Sequence, residues 1–225
     1  MNYLSALLSV IILLLTSCSF SLHAAQVSIN ITDNQGKPLT NIVALLRSTD
    51  MPKAAKTKPV KTEPAIAIMD QINREFVPHT LVVQQGTKVD FPNSDNVQHH
   101  VYSFSPAKTF ELKLYSELEV EPQLFNTPGV VELGCNVHDW MLGYIYVADT
   151  PYFAQSSGEG KATVTVPNGD YKMSIWHPRL SESDTARMSK VTVGNDDITV
   201  NFSLFSPLLP SLVEYDAVEG FTEYD

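Results

Sequence analysis

The chain has 225 residues, 44% of them hydrophobic, and a formal net charge of −10. That length allows one large or two small domains. The acidity makes nucleic acid and anionic membrane surfaces poor partners; it serves solubility, or it steers a basic partner toward the protein with an attraction that weakens with salt.

Residues 1–25 read as a secretory signal. Leu4 to Leu15 is almost unbroken apolar sequence, too short to span a bilayer comfortably, and His23-Ala24-Ala25 offers small residues for cleavage. No Lys or Arg precedes the apolar stretch. Leu15-Thr16-Ser17-Cys18 resembles a bacterial lipobox, in which Cys18 would be lipidated and anchor the protein to a membrane. The apolar stretch that continues to Ala25 favours ordinary cleavage and a soluble periplasmic protein. The sequence has two cysteines, and loss of the leader leaves Cys135 alone. A single thiol in an oxidising compartment has no intramolecular disulfide to form and is either reactive or occupied.

Beyond the leader, short alternating runs recur between Gly, Pro, Asn and Asp, the pattern of an all-β protein. Strands are expected at Val27–Ile31 and Asn41–Leu46, around the turn Asp33 to Pro38. Residues 50–64 carry Lys53, Lys56, Lys58 and Lys61 with Pro52, Pro59 and Pro64, and read as a solvated linker. Strands resume at Ala65–Met69, Thr80–Val83, Thr87–Phe91, His100–Phe104, Phe110–Leu114, Val130–Leu133 and Gly143–Val147. Four more follow at Ala162–Val166, Tyr171–Trp176, Lys190–Val193 and Ile198–Leu204. Residues 206–225 form an acidic tail, with five carboxylates and no base from Glu214 onward.

The turn Asp33-x-x-Gly36-x-Pro38-Leu39 and the later run Gly160-x-Ala162-x-Val164-x-Val166-Pro167-x-Gly169-x-Tyr171 resemble the carboxypeptidase regulatory-like sandwich. On that resemblance, residues 26–49 and 151–205 are two parts of one small β-module. The stretch 65–150 is then a second sandwich, either inserted in that module or extended by it.

The chemistry concentrates in Cys135-Asn136-Val137-His138-Asp139-Trp140-Met141, together with His99, 36 positions before Cys135. One thiolate, two imidazoles and one thioether form a donor set that is soft on one side and borderline on the other, which suits copper. Cys135, His138 and Met141 share one loop between two strands, and His99 enters from another strand. His100 competes with His99. Successive strand residues point to opposite faces, so only one of the two can face the metal in a regular strand.

Phe76-x-Pro78-x-x-Leu81-x-Val83-x-x-Gly86-Thr87-x-Val89-x-Phe91, Phe91-x-Asn93-x-Asp95-x-x-x-His99-x-Val101 and Cys135-x-x-His138-x-x-Met141 resemble the cupredoxins, the small type 1 copper proteins. The short ligand loop is like that of amicyanin, and the whole resembles periplasmic proteins of the plastocyanin-like or methylamine-utilisation type. The resemblance implies a Greek-key sandwich and one copper ion, held by His99, Cys135 and His138 in a plane with Met141 as a weak axial contact. It selects His99 over His100. In the family an Asn usually follows the upstream His and ties two loops together; His100 stands there, which puts that tie in doubt. Asp139 beside His138 reads as a solvated carboxylate, His79 as a surface residue and His177 as structural. Trp140 and Leu142 either pack or form an apolar docking patch around His138.

The expected function is periplasmic electron transfer, with a c-type cytochrome or a periplasmic dehydrogenase as partner. The rivals are copper trafficking or sequestration, and a binding or scaffold module in which copper is incidental. An enzyme of the multicopper oxidase kind needs a His directly after the Cys, and Asn136 occupies that place.

Overall fold

The computed structural model describes residues 24–49, 66–116 and 120–211. Cys18 with most of the leader, the lysine-rich linker and the end of the acidic tail lie outside the described residues. Among the described residues the fold is all-β apart from one short helix, α1 (Glu182–Thr185), capped by the Ser181 side chain.

Two hydrophobic cores organise the fold. The first is built from both ends of the chain. Strand β1 (Ala24–Thr32) buries Val27, Ile29 and Ile31, the alternation expected of a half-buried strand. It begins at Ala24, two residues ahead of the boundary expected from the leader. It pairs antiparallel with β14 (Lys161–Pro167) and parallel with β17 (Ile198–Ser203). The facing sheet runs β13 (Phe153–Gln155), β2 (Val43–Ser48), β15 (Gly169–Trp176), β16 (Met188–Val193). Between these two sheets lie Ile29, Ile31, Ala44, Leu46, Val164, Met173, Val191 and Phe202.

The second core belongs to residues 66–148. A five-stranded sheet runs β6 (Thr80–Gln84), β12 (Leu142–Ala148), β11 (Gly129–Cys135), β8 (His99–Ser105), β9 (Lys108–Tyr115). A three-stranded sheet runs β10 (Gln123–Phe125), β7 (Thr87–Asp90), β3 (Ile66–Ile68). Phe76, Val89, Phe91, Phe125, Leu133 and Ile145 fill the space between, and Cys135 and Met141 belong to the same cluster.

Strand β2 explains how the two sandwiches adhere. Its Val43, Ala44, Leu45 and Leu46 are all fully buried, a run apolar on both faces. Ala44 and Leu46 face the first core, whereas Val43 and Leu45 meet Ala148, Val82, Tyr146 and Trp176 of the neighbouring layers. Gln155 crosses the same boundary, its Nε2 donating to the Thr80 carbonyl at 3.2 Å.

Every strand expected from the sequence is present, with ends displaced by a few residues. The additions are short: β10, β13 and the hairpin β4 (Asp70–Ile72)–β5 (Glu75–Val77). That hairpin turns at Asn73 and Arg74, whose φ values of 56° and 62° make a primed turn without glycine.

Candidate metal centre

The register of β8 on β11 places the site. Cys135 is opposite Val101 and Gly134 opposite Tyr102. Side chains alternate along a strand, so Cys135, Val101 and His99 point to the same, inner face. His99 is 0% exposed and Cys135 4%. On its other side His99 is opposite Tyr115 of β9, and a register shift between His99 and Val101 marks a bulge there. Bulges re-aim side chains next to functional sites.

After Cys135 the chain turns back at once, and the Met141 N–H donates to the His138 carbonyl at 3.0 Å. The turn brings His138 to the thiol. Cys135 Sγ lies 3.7 Å from His99 Nδ1 and 3.9 Å from His138 Nδ1. One ligand atom from each of His99, Cys135 and His138 falls within 4.8 Å of the other two. The two imidazole rings are 5.0 Å apart at 55°. Met141, the fourth expected ligand, is 2% exposed and shares the core with Cys135.

The hydrogen bonds around these groups fit a metal ligand set. His99 Nε2 is 2.7 Å from Asp95 Oδ2. A carboxylate there fixes the proton on Nε2 and leaves the Nδ1 lone pair directed at the thiol, the arrangement seen when an outer carboxylate orients a ligating imidazole. Asp95 is itself held: Oδ1 accepts from Asn73 N–H at 2.6 Å and Oδ2 from Arg74 N–H at 2.8 Å. Burial alone would raise the Asp95 pKa, but the Arg74 N–H, His99 and the Asn73 N–H outweigh it and hold the carboxyl below its usual range. For His138, burial and the neighbouring His99 and Arg74 lower the pKa despite the opposing pull of Asp95. A lowered pKa keeps that imidazole neutral, the form that binds a metal.

Tyr115 backs the site. Its hydroxyl donates to the Phe91 carbonyl at 2.8 Å and accepts from Gln71 Nε2. Burial pushes its pKa up to about 12.

His100 points away from this cluster, as alternation requires. Its Nδ1 is 2.7 Å from Asn136 Nδ2 and its Nε2 is 2.9 Å from Glu111 Oε1. The doubt raised by His100 in place of Asn is therefore resolved by a different pair. The residue after His99 and the residue after Cys135 still join the two segments that carry the candidate donors. Asp139 is exposed, and the carboxylate that reaches a site histidine is Asp95, four residues before His99. His79 is exposed and stacks edge-on against Tyr144. His177 lies in the other sandwich, where burial, then Arg179 and His79, lower its pKa to about 4. Trp140 is 63% exposed, its ring 5.5 Å from that of His138.

Two supporting residues were not assigned roles from the sequence. Asp95 stands in the quoted motif, but its contact depends on a loop that returns to the strand start. Asn136 was read only as a missing His.

No family model and no curated protein matches the chain. Among solved structures it is similar to a copper-containing nitrite reductase from Thermus scotoductus SA-01, at 23% identity over 39% of this chain, with a TM-score of 0.36. The match spans 23% of that enzyme's chain. It is also similar to a purple cupredoxin from Nitrosopumilus maritimus, at 26% identity over 37% of this chain and 99% of that one, with a TM-score of 0.30. A reduced Cu(I) amicyanin variant matches at 19% identity over 47% of this chain and 98% of that one, with a TM-score of 0.32.

Proposed function

We propose that His99, Cys135, His138 and Met141 hold one copper ion and that the protein carries single electrons between periplasmic redox partners. The observation that supports this reading most is the pair of imidazole Nδ1 atoms facing one thiol sulfur at 3.7 and 3.9 Å. When bound, copper supplies reversible one-electron chemistry between its two common oxidation states. The chain's own residues do the rest. Cys135 provides the thiolate, and burial in the core excludes water from it. His99, fixed between Asp95 and Tyr115, provides a ligand that does not move. Rigidity matters because ligand rearrangement slows electron transfer. Met141 supplies the soft fourth donor from the same turn that carries His138. Asn136 stands where an oxidase would need a histidine, and its amide is committed to His100. A carrier therefore fits better than an enzyme.

A c-type cytochrome or a periplasmic dehydrogenase with a basic face is the natural partner for a chain of net charge −10. The half-buried His138 beside exposed Trp140 gives such a partner a contact point.

Copper-loaded protein is expected to show an intense visible thiolate-to-copper band and the matching electron spin resonance signal. Cys135→Ser and His99→Ala should abolish both, and His100→Ala should retain them. Stoichiometric copper binding without a visible band in the unaltered protein would overturn this reading. A mature chain recovered from the periplasm without a lipid on Cys18, judged by intact mass, is the expected form.

A further inference from the structure

Strand β3 is an open edge of the second sandwich. In the sheet β10-β7-β3 it pairs parallel with β7 on one side, and among the described residues no strand pairs with its other side. The Met69 N–H, just beyond β3, donates to the Asp90 carbonyl of β7 at 2.9 Å. Peptide groups alternate in direction along a strand, so Ala67 also turns its N–H and C=O toward β7, while Ile66 and Ile68 turn theirs to the open edge. Sheet edges are ordinarily guarded by charge, proline or a bulge; Ile66-Ala67-Ile68 has none of these.

The side chains beside this edge are apolar and exposed. Ala67 and Met69 face the core, and Ile66 and Ile68 face out at 58% and 55% exposure. The register sets Ile66 in one row with Lys88 and Leu124, and Ile68 beside Asp90. Leu124 is 40% exposed. Alternation carries the same face on to Ile72, and Val77 stands opposite Asp70 on the hairpin partner β5. A contiguous group of exposed isoleucine, valine and leucine side chains marks an interaction surface.

We propose that β3 is the interface of a symmetric dimer, its occupant the β3 of a second copy laid antiparallel across a two-fold axis at Ala67. The open edge is complementary to itself. About that axis Ile66 meets Ile68 of the second copy, and Ile68 meets its Ile66. These are the residues whose N–H and C=O groups point outward, so each pair exchanges main-chain hydrogen bonds in both directions. The exposed isoleucines then form cross-strand pairs on the outer face. Each row runs from Lys88 to Asp90 of the second copy, unlike charges in line, whereas an unshifted parallel pairing sets Lys88 in line with Lys88 and Asp90 with Asp90. The two-fold also closes, because it uses up both open edges and leaves none for a third copy. Beyond Met69 the same edge is taken by β5, so the open stretch is short and the contact weak, with a dissociation constant on the order of 0.1 mM. No candidate metal ligand lies on β3, so the dimer stands apart from the copper reading.

Analytical ultracentrifugation of the mature, metal-free chain tests this, with a reductant present to keep Cys135 from bridging copies. Between about 10 μM and about 1 mM the protein should pass from monomer to dimer. Each copy carries a net charge of −10, so raising salt from about 0.05 M to about 0.5 M should tighten the dimer. Ile66→Lys and Ile68→Glu should each weaken it about ten-fold or more. Combining the two sets opposite charges across the two-fold and should restore most of the loss. Amide exchange at Ile66 and Ile68 should slow as protein concentration rises, and at Ala67, already bonded to β7, it should not. Both altered side chains are exposed, and an unchanged thermal midpoint in dilute solution checks that the variants fold; the exchange pattern of the unaltered protein decides the matter whether or not they do. A monomer throughout the range, or a double variant no better than the single ones, would overturn the proposal. So would Ile66 and Ile68 amides protected equally at all concentrations, the mark of a segment of the same chain on this edge.

Discussion

Asp95 joins two structures with one carboxylate. It receives the two N–H groups of the Asn73–Arg74 turn and the Nε2 of His99. The turn is thereby locked to the strand that carries His99, and His99 is held in one tautomer. Asp95→Asn keeps the shape and removes the charge. It is expected to weaken Cu(II) binding by about 10–100-fold, in line with other losses of an outer carboxylate, as measured by chelator competition. The unaltered carboxylate should stay charged across the physiological range. Its folded pKa lies below the ordinary value of 3.8, so its contribution to stability is present above that value and is lost as pH falls through the lower, folded one. The cluster of candidate donors was legible from spacing, because Cys135, His138 and Met141 lie within one loop. The orienting carboxylate was not, because its partner is fixed by where a loop returns and not by any period.

At the scale of elements, alternation made the long strands readable; β14 follows it residue by residue, and β1 departs from it only at the buried Ser28. Strands of three residues such as β10 and β13 carry too few positions for a period to show. The β4–β5 hairpin escaped for another reason: its turn uses Asn73 and Arg74 at positive φ, where Asn-Gly would have announced it. Strand β2 was legible as a strand, but its unbroken apolar run said only that both faces are covered. The structure shows by what. Leu45 faces the other sandwich, and Leu45→Ala is expected to cost about 2–5 kcal/mol by leaving a cavity between the two layers. Urea denaturation followed by tryptophan fluorescence should read this, because Trp176 packs in the same cluster.

For the whole molecule, the two sandwiches meet on the outer face of β12. Trp176 of β15 lies 6.0 Å from Tyr144 and 5.1 Å from Tyr146, ring to ring. Arg47 of β2 reaches Asp149, just beyond β12, at 2.7 Å. His177 follows Trp176 at this boundary, with its Nδ1 accepting from the Arg179 N–H at 3.2 Å. Its pKa falls from 6.5 to about 4, first through burial and then through Arg179 and His79. The unfolded chain therefore binds the proton more readily, and stability should fall as pH drops from 6.5 toward 4. His177→Gln is expected to flatten the thermal midpoint across that window relative to the unaltered protein, with little change above pH 6.5. An unchanged slope would assign the acid sensitivity to other groups.

The sequence by itself determined the all-β character and the cluster of donors after β11, because strand alternation and ligand spacing are local properties of the chain. It implied that His99 and His100 face opposite ways only for a regular strand; across the bulge between His99 and Val101 it is the structure that buries His99 and turns His100 to Asn136 and Glu111. Only the tertiary structure decided that Asp95 orients His99, that His100 and Asn136 join the segments carrying His99 and Cys135, and that β2 is buried between two sandwiches. Each of these is a contact between residues distant in sequence, set by register and packing, and a one-dimensional pattern carries no record of which distant partner a side chain will meet.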